Sequence, residues 1–271
     1  MKKILYKVLS IIISIVFLLP IFYTLMHSFM DEYQILANST SFLPDKFSIH
    51  QYIKIALNDK YFNLYFNSIL ISLGIIVGQV FVSIGAAYYF ARNKSKLSNA
   101  IFLVYIFLML LPLQITLIPN VFLYNGIEKY IGIKLHDTYL AIVLPGVFST
   151  MGVFFLKQFF EGIPKSLYEV SYIDGASDFR ILINVVIPYS KNAILALCAL
   201  NFIESWNIIE QALIFIDTPT KYPLSVYLSL MYTTDKSIFY AGNVIFIFPV
   251  IYLLMKNIES IKNLMIIESR R

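Results

Sequence analysis

Apolar runs of about 20 residues recur along the chain, and each is long enough to cross a lipid bilayer as a helix. Only helices and closed barrels can cross a bilayer, because lipid offers no hydrogen bonds to the backbone. The strands of a barrel would be short segments of alternating polarity, which the sequence lacks. Since 14% of the residues are charged, against about a quarter in a soluble domain, we expect an all-α, polytopic membrane protein. Six spans are predicted within a single domain of residues 1–271, at about 8–29, 64–90, 100–123, 138–156, 190–216 and 238–257.

The distribution of Lys and Arg predicts the orientation of these spans. The predicted segments on the side of the two termini carry 14 of these residues, and those on the opposite side carry 7. Cytoplasmic segments are the richer ones, so both termini are expected in the cytoplasm. The first span is longer than the apolar part of a signal peptide, and no small-x-small cleavage site follows it. A retained first helix is therefore expected.

A polar segment between the fourth and fifth spans interrupts the apolar pattern. We call residues 161–188 the elbow, because their pattern predicts two short helices joined by a sharp turn. Gly175 can adopt backbone angles that end the first helix. Ser177 is a favourable N-cap for the second helix, which is expected to end near Pro188. The Lys and Arg distribution predicts that the elbow faces the cytoplasm.

The elbow resembles the EAA loop of ATP-binding cassette (ABC) importer permeases. That loop has a Glu-Ala-Ala triplet, three further residues ending in Asp, and then Gly. This chain has Glu169-Val170-Ser171 followed by Tyr172-Ile173-Asp174 and Gly175-Ala176. The resemblance implies that the elbow docks into an ATPase subunit. The implied ATPase-coupling residues are Glu169, Ser171, Asp174, Gly175, Ala176 and Pro188.

Further motifs resemble the maltose-type carbohydrate branch of these permeases. They are Phe66-Asn67-Ser68, residues 87–92, residues 111–119, Phe159-Phe160, Trp206-Asn207 and Tyr222-Pro223-Leu224. The resemblance implies a type I ABC importer permease fold in a bacterial cell membrane. It also implies a second permease, expected to be a different chain, two ATPase subunits and an extracytoplasmic solute-binding protein. The end of the chain departs from this pattern, because such permeases often have a Gly-rich tail.

No catalytic or cofactor-binding motif occurs in the sequence. A phosphate-binding G-x-x-x-x-G-K-[ST] loop is absent, so ATP and Mg are expected on the ATPase subunits and no cofactor on this chain. The three histidines, His27, His50 and His136, lack metal-ligand spacing and are predicted to be surface residues. No basic-aromatic block indicates nucleic acid binding.

Polar side chains inside the predicted spans are candidates for a solute pathway. A charge at mid-bilayer costs at least about 2.5 kcal/mol, so a residue such as Glu204 is expected to face water, a partner subunit or the pathway rather than lipid. A helical wheel for span 5 places several of them on one face, with Glu210 pointing away. If that face lines the pathway of a polyhydroxylated solute, Trp206 is expected near a sugar ring. A pathway lining and a polar seam against the second permease are equally open interpretations. The candidates are Gln114, Asn201, Glu204, Ser205, Asn207 and Gln211.

Glycine and proline positions add two structural predictions. Gly74 and Gly78 form a GxxxG pattern, which favours close helix packing. Pro112 and Pro119 predict kinks in span 3. Three functional alternatives stay open beside a carbohydrate importer: an ABC permease for a non-sugar solute, a secondary transporter without an ATPase, and a membrane-embedded scaffold.

Overall fold

The structure of the protein is a computed structural model that describes residues 2–37, 41–112 and 114–268. Within these ranges the secondary structure is helical and no strand occurs, which confirms the all-α prediction. In chain order the α-helices are α1 (Lys2–His27), α2 (Glu32–Ala37), α3 (His50–Ala56), α4 (Asp59–Arg92), α5 (Lys96–Met109), α6 (Gln114–Ile131), α7 (Tyr139–Val147), α8 (Thr150–Glu161), α9 (Lys165–Ile173), α10 (Asp178–Ile181), α11 (Ile187–Tyr189), α12 (Lys191–Trp206), α13 (Glu210–Phe215), α14 (Leu224–Thr234) and α15 (Lys236–Glu268). Arg270 and Arg271, which contribute to the predicted orientation, lie outside the described residues.

The chain divides into two compact units. The first contains residues 1–66 and 224–249, and the second contains residues 67–223 and 250–271. In the first unit, the hydroxyl of Tyr61 donates a hydrogen bond to the carbonyl of Gly242 at 3.0 Å, which joins the start of α4 to α15. His27 is buried at the end of α1, with its ring 3.7 Å from that of Tyr23. This position corrects the prediction that His27 is a surface residue.

Within the part of the chain that the structure describes, four segments are long and apolar enough to cross a membrane, namely Ile4–His27, Asp59–Arg92, Tyr139–Glu161 and Lys236–Lys256. Two bent helix pairs raise the number to six if each pair is one span. The six-span arrangement and the bounds of its spans therefore stay a prediction, and the second bent pair, Asp178–Tyr189 with Lys191–Trp206, begins earlier than the predicted fifth span. The predicted third span consists of two helices, because Pro112 lacks an N–H and disfavours helical geometry in the residue before it. Pro119 lies inside α6 without ending it.

The glycine pair in α4 packs against α7, as the GxxxG pattern predicts. A Cβ added to Gly74 would lie 3.2 Å from a methyl group of Val143. A Cβ added to Gly78 would lie only 2.4 Å from a methyl group of Val147. The two helices can approach this closely because neither glycine has a side chain. This seam holds α4 beside the end of α7, where a polar cavity opens.

The predicted fifth span is interrupted after Trp206. The side chain of Asn207 donates a hydrogen bond to the carbonyl of Ile203 at 2.8 Å, and the hydroxyl of Ser205 donates to the carbonyl of Asn201 at 2.7 Å. Polar side chains thus satisfy carbonyl groups at the end of α12. The chain turns at residues 207–209 before α13 begins. A uniform helical wheel over residues 201–211 therefore does not describe this region.

Candidate functional site

The turn of the elbow is a complete helix-ending motif. Gly175 has a φ of +72°, a backbone conformation that glycine adopts without strain. Its N–H donates to the carbonyl of Tyr172, and the N–H of Ala176 donates to the carbonyl of Ser171, both at 3.0 Å. These two bonds form the Schellman pattern. The helix–turn–helix expected from the position of Gly175 is therefore present.

The second helix of the elbow begins as predicted and contains a π-helical turn. The hydroxyl of Ser177 accepts a hydrogen bond from the N–H of Arg180 at 3.4 Å, so Ser177 is the N-cap of α10. A π-helical turn at Leu182–Val186 separates α10 from α11. Pro188 lacks the N–H that would bond to the carbonyl of Asn184, so regular α-helical pairing is lost in this stretch. The helix ends at Tyr189, one residue beyond Pro188.

Arg92, at the end of α4, holds the first helix of the elbow. Its guanidinium group lies 4.2 Å from the ring centroid of Tyr168 and donates a hydrogen bond to the hydroxyl of Tyr172 at 3.3 Å. That hydroxyl donates in turn to the carboxylate of Asp178 at 2.5 Å, and the hydroxyl of Tyr88 reaches the same oxygen at 3.4 Å. The charge of Arg92 and the carboxylate of Asp178 are thus joined through tyrosine side chains.

Tyr168 also fixes the elbow to an apolar core. Only 4% of this residue is exposed, and its burial raises the pKa of its hydroxyl above the ordinary value. The core brings together side chains from α4, α8, α9, α10 and α12. Its buried members are Ala87, Leu156, Phe160, Ile163, Tyr168, Ile181, Val186, Ala193 and Leu197. Because these helices share one core, the base of the elbow is joined to several of them.

The tip of the elbow is exposed. Glu169, Asp174 and Gly175 are exposed, and 84% of Ile173 is exposed. Of the remaining implied coupling residues, Pro188 is exposed, whereas Ser171 and Ala176 are half-buried. The tip thus offers two carboxylates beside an apolar side chain, a combination suited to contact with another protein.

A polar cavity of about 500 Å³ lies beside the end of α12. Five of the six candidate pathway residues line it, namely Asn201, Glu204, Ser205, Asn207 and Gln211. The lining also includes polar residues that the sequence analysis did not select, namely Gln79, Ser149, Thr150 and Glu210. Gln79 could have been found from its sequence, because it is a polar residue within a long apolar run.

Two of the buried amides in this cavity have an unpartnered polar atom. Asn201 is 5% exposed and Gln211 is 7% exposed. The side-chain nitrogen of Asn201 and the side-chain oxygen of Gln211 have no hydrogen-bond partner within the described residues. A buried polar group without a partner costs about 1–3 kcal/mol. Both residues line the cavity, so each places an unsatisfied polar group in its wall.

Glu210 and Trp206 differ from their predicted positions. Glu210 lines the cavity because the chain turns between α12 and α13, which invalidates the helical wheel beyond Trp206. Gln114 does not line the cavity, but its side-chain nitrogen donates to the carboxylate of Glu210 at 3.0 Å. Trp206 is 1% exposed and stacks on Phe202, with 5.0 Å between ring centroids. Its ring is covered by protein and cannot contact a sugar ring in this conformation.

Asp137 joins two connections that are distant in sequence. Its carboxylate accepts hydrogen bonds from the N–H and hydroxyl of Thr218 at 2.9 and 2.7 Å, and from the ammonium of Lys221 at 2.8 Å. Bonds from Lys221, and then from Thr218, hold the pKa of Asp137 well below its ordinary value. The carboxylate therefore stays ionised at neutral pH.

Asn67, which lies in α4, also forms hydrogen bonds to the connection that contains Thr218 and Lys221. Its side-chain nitrogen donates to the carbonyls of Thr220 and Tyr222 at 2.9 and 3.0 Å. Its side-chain oxygen accepts a hydrogen bond from the hydroxyl of Tyr139 at 2.8 Å. Asn67 and Tyr222 belong to two of the motifs that carry the family resemblance, and the structure brings them together. The sequence alone gave no sign of this contact.

Comparison with known proteins identifies relatives for both the sequence and the fold. Residues 79–260 match the family described as binding-protein-dependent transport system inner membrane component. The arabinooligosaccharides transport system permease protein AraQ of Bacillus subtilis (strain 168) is 29% identical over 198 residues, covering 72% of this chain and 68% of that protein. The sn-glycerol-3-phosphate transport system permease protein UgpE of Pectobacterium atrosepticum is 33% identical over 141 residues, covering 52% of this chain and 48% of that protein.

The fold also matches a solved structure over nearly its whole length. That structure is a bacterial ABC transporter involved in the import of the acidic polysaccharide alginate. The TM-score is 0.81 with 22% sequence identity, and the match covers 95% of each chain. The predicted permease fold is thereby confirmed. With the family matched over most of the chain, the protein belongs to the binding-protein-dependent transport system inner membrane components and is an ABC importer permease.

Proposed function

We propose that this chain forms, with a second permease subunit, the membrane pathway for a carbohydrate or related polyhydroxylated solute. The names of similar proteins support this proposal, since AraQ is named for arabinooligosaccharides and UgpE for sn-glycerol-3-phosphate. The cavity supports it as well, because several hydroxyl and amide side chains line the same space. Such groups exchange hydrogen bonds readily with the hydroxyl groups of a sugar.

Energy for transport comes from partner subunits in this proposal. Two ATPase subunits bind ATP and Mg, and an extracytoplasmic binding protein delivers the solute. A solved structure of similar fold is a bacterial alginate ABC transporter in complex with a periplasmic protein bound to an alginate pentasaccharide, which supports such a partner. Both termini and the elbow face the cytoplasm, and six spans cross the membrane.

The elbow carries the proposal, because its tip is exposed while its base is fixed. An ATPase subunit that holds Glu169, Asp174 and the turn at Gly175 would move α9 when it closes. Tyr168 would transmit that movement to the apolar core, and Arg92 would transmit it to α4. Since α12 shares this core and ends beside the cavity, movement of the elbow reaches the solute pathway.

Two substitutions at the tip test the coupling role. Gly175→Pro cannot keep a φ of +72°, because proline is restricted to about −65°. Glu169→Lys reverses the charge of an exposed side chain. In the assembled transporter in proteoliposomes, each variant is expected to lower the ATPase stimulation by loaded binding protein by about tenfold or more, the equivalent of at least about 1.4 kcal/mol.

Two matched controls separate coupling from folding. Gly132 also has a positive φ, +78°, and its N–H donates to a carbonyl, so Gly132→Pro applies the same backbone strain outside the elbow. Glu128→Lys reverses the charge of another exposed glutamate. Both controls should keep the stimulation wherever the assembled complex is recovered. Normal stimulation in both elbow variants would refute the proposed role of the elbow.

A further inference from the structure

The cavity has an acidic lining. Glu204 and Glu210 both line it, and both are exposed within the single chain. Among the described residues that form its walls there is no Lys, Arg or His. A solute in this space would therefore meet two carboxylates and no positive side chain among the described residues of the lining.

Carboxylate and amide oxygens give the same cavity several hydrogen-bond acceptors. The carboxylate of Glu204 receives no hydrogen bond from the described residues, and that of Glu210 receives one from Gln114. The buried oxygen of Gln211 is an additional unpartnered acceptor, whereas the nitrogen of Asn201 is an unpartnered buried donor. Ser205 does not add a free donor, because its hydroxyl already bonds to the backbone.

We propose that this cavity selects solutes that are rich in hydrogen-bond donors and carry no negative charge, namely neutral or amine-bearing sugars. The inference rests on the proposed function and narrows it, since solutes with phosphate or carboxylate groups are rejected. The hydroxyl groups of a neutral sugar can donate hydrogen bonds to the exposed carboxylates of Glu204 and Glu210. An anionic group within a few ångströms of either carboxylate is repelled, because the described lining contains no cationic side chain to offset the charge.

Binding of three matched trisaccharides tests the selection by charge. The probes are labelled trimers of N-acetylglucosamine (neutral), glucosamine (amine-bearing) and galacturonate (carboxylate-bearing). Each is titrated onto the purified assembled transporter without its binding protein, so that only the membrane pathway discriminates. The neutral and amine-bearing trimers are expected to bind at least about tenfold more tightly than the galacturonate trimer, a difference that one unfavourable charge contact can supply.

Isosteric removal of the charges should abolish the discrimination. In the double variant Glu204→Gln with Glu210→Gln, the difference between neutral and carboxylate-bearing trimers is expected to fall to about threefold or less. Glu128→Gln removes an exposed carboxylate on α6 outside the cavity, and it should keep the full difference. Retained discrimination in the double variant would assign the selection to other groups and overturn the proposal.

Other outcomes are equally decisive. Equal or tighter binding of the galacturonate trimer, or no binding of any trimer, overturns the proposal. Loss of the second permease from the purified double variant also overturns it, because the carboxylates would then pair with that subunit instead of selecting solute. ATPase stimulation of the wild-type complex by its own loaded binding protein is measured in parallel. Absence of that stimulation refutes the proposed function, whereas its presence with failed selection refutes this inference alone.

Discussion

The elbow and the cavity lie at opposite ends of α12, and their polar side chains differ in how completely they are hydrogen-bonded. In the elbow, Tyr172 donates a hydrogen bond to Asp178 and accepts one from Arg92 of α4. In the cavity, Asn201 and Gln211 are buried with an atom that has no partner among the described residues. Paired groups hold a region in one arrangement, whereas an unpartnered buried polar group costs free energy. Under the proposed function, this difference suits a rigid element that transmits movement and a cavity that receives solute.

Among the substitutions considered, Tyr168→Ala should have the largest effect, because it detaches the elbow from the apolar core. The substitution removes a buried aromatic ring from the apolar core together with its contact to Arg92. Truncation of a buried aromatic side chain costs about 3–5 kcal/mol. We expect a clear decrease in the thermal unfolding midpoint of the purified complex and loss of the ATPase stimulation by loaded binding protein.

Tyr168→Phe is the matched control, because the hydroxyl of Tyr168 is buried without a hydrogen-bond partner in the described residues. Removing it should change stability by less than about 1 kcal/mol and keep the stimulation. Equal losses for the alanine and phenylalanine variants would contradict the packing role of the ring.

A pair of asparagines sharpens the comparison between paired and unpartnered groups. Asn67 and Asn201 are both buried in the second unit, but Asn67 makes three side-chain hydrogen bonds. Asn67→Leu should therefore lower the free energy of unfolding by about 1–3 kcal/mol, since it leaves its buried partners unsatisfied. Asn201→Leu should instead leave stability unchanged or raise it by about 1 kcal/mol, because it removes an unpartnered polar atom.

For Asn201→Leu, solute transport should decrease even though stability is unchanged or increased. The leucine variant lacks the amide that the cavity offers to a solute, so uptake by the reconstituted transporter should fall although the chain is at least as stable. Thermal unfolding without solute and uptake of labelled solute measure the two effects separately. Destabilisation by Asn201→Leu as large as that by Asn67→Leu would show that the amide has a structural partner and would contradict the comparison.

Local sequence signals predicted the elbow well. Gly175, Ser177 and Pro188 each mark a helix boundary through their own backbone or side-chain chemistry, and the structure places boundaries beside all three. The contacts of Arg92 with Tyr168 and Tyr172 could not be predicted in this way. They join residues about 80 positions apart, and a single sequence carries no signal for such a pairing.

The cavity was predicted only in part, because its sequence signal assumed one continuous helix. Asn201, Glu204 and Ser205 lie within α12, where the helical wheel applies. The wheel fails beyond Trp206, because the side chain of Asn207 bonds to the helix end and the chain turns. Glu210 consequently joins the lining. The end of α12 depends on this side-chain hydrogen bond, and the hydropathy of the sequence does not predict such an end.

Crosslinking from the tip of the elbow tests most directly the claim that this segment is held by a partner ATPase. Ile173→Cys is suitable because this side chain is 84% exposed, and Cys198→Ala removes the only native thiol. In intact cells, the introduced thiol should crosslink to an ATPase subunit that carries a cysteine at its contact surface. It should also resist a membrane-impermeant maleimide added outside. Labelling from outside the cell, with no crosslink to the ATPase, would contradict the account.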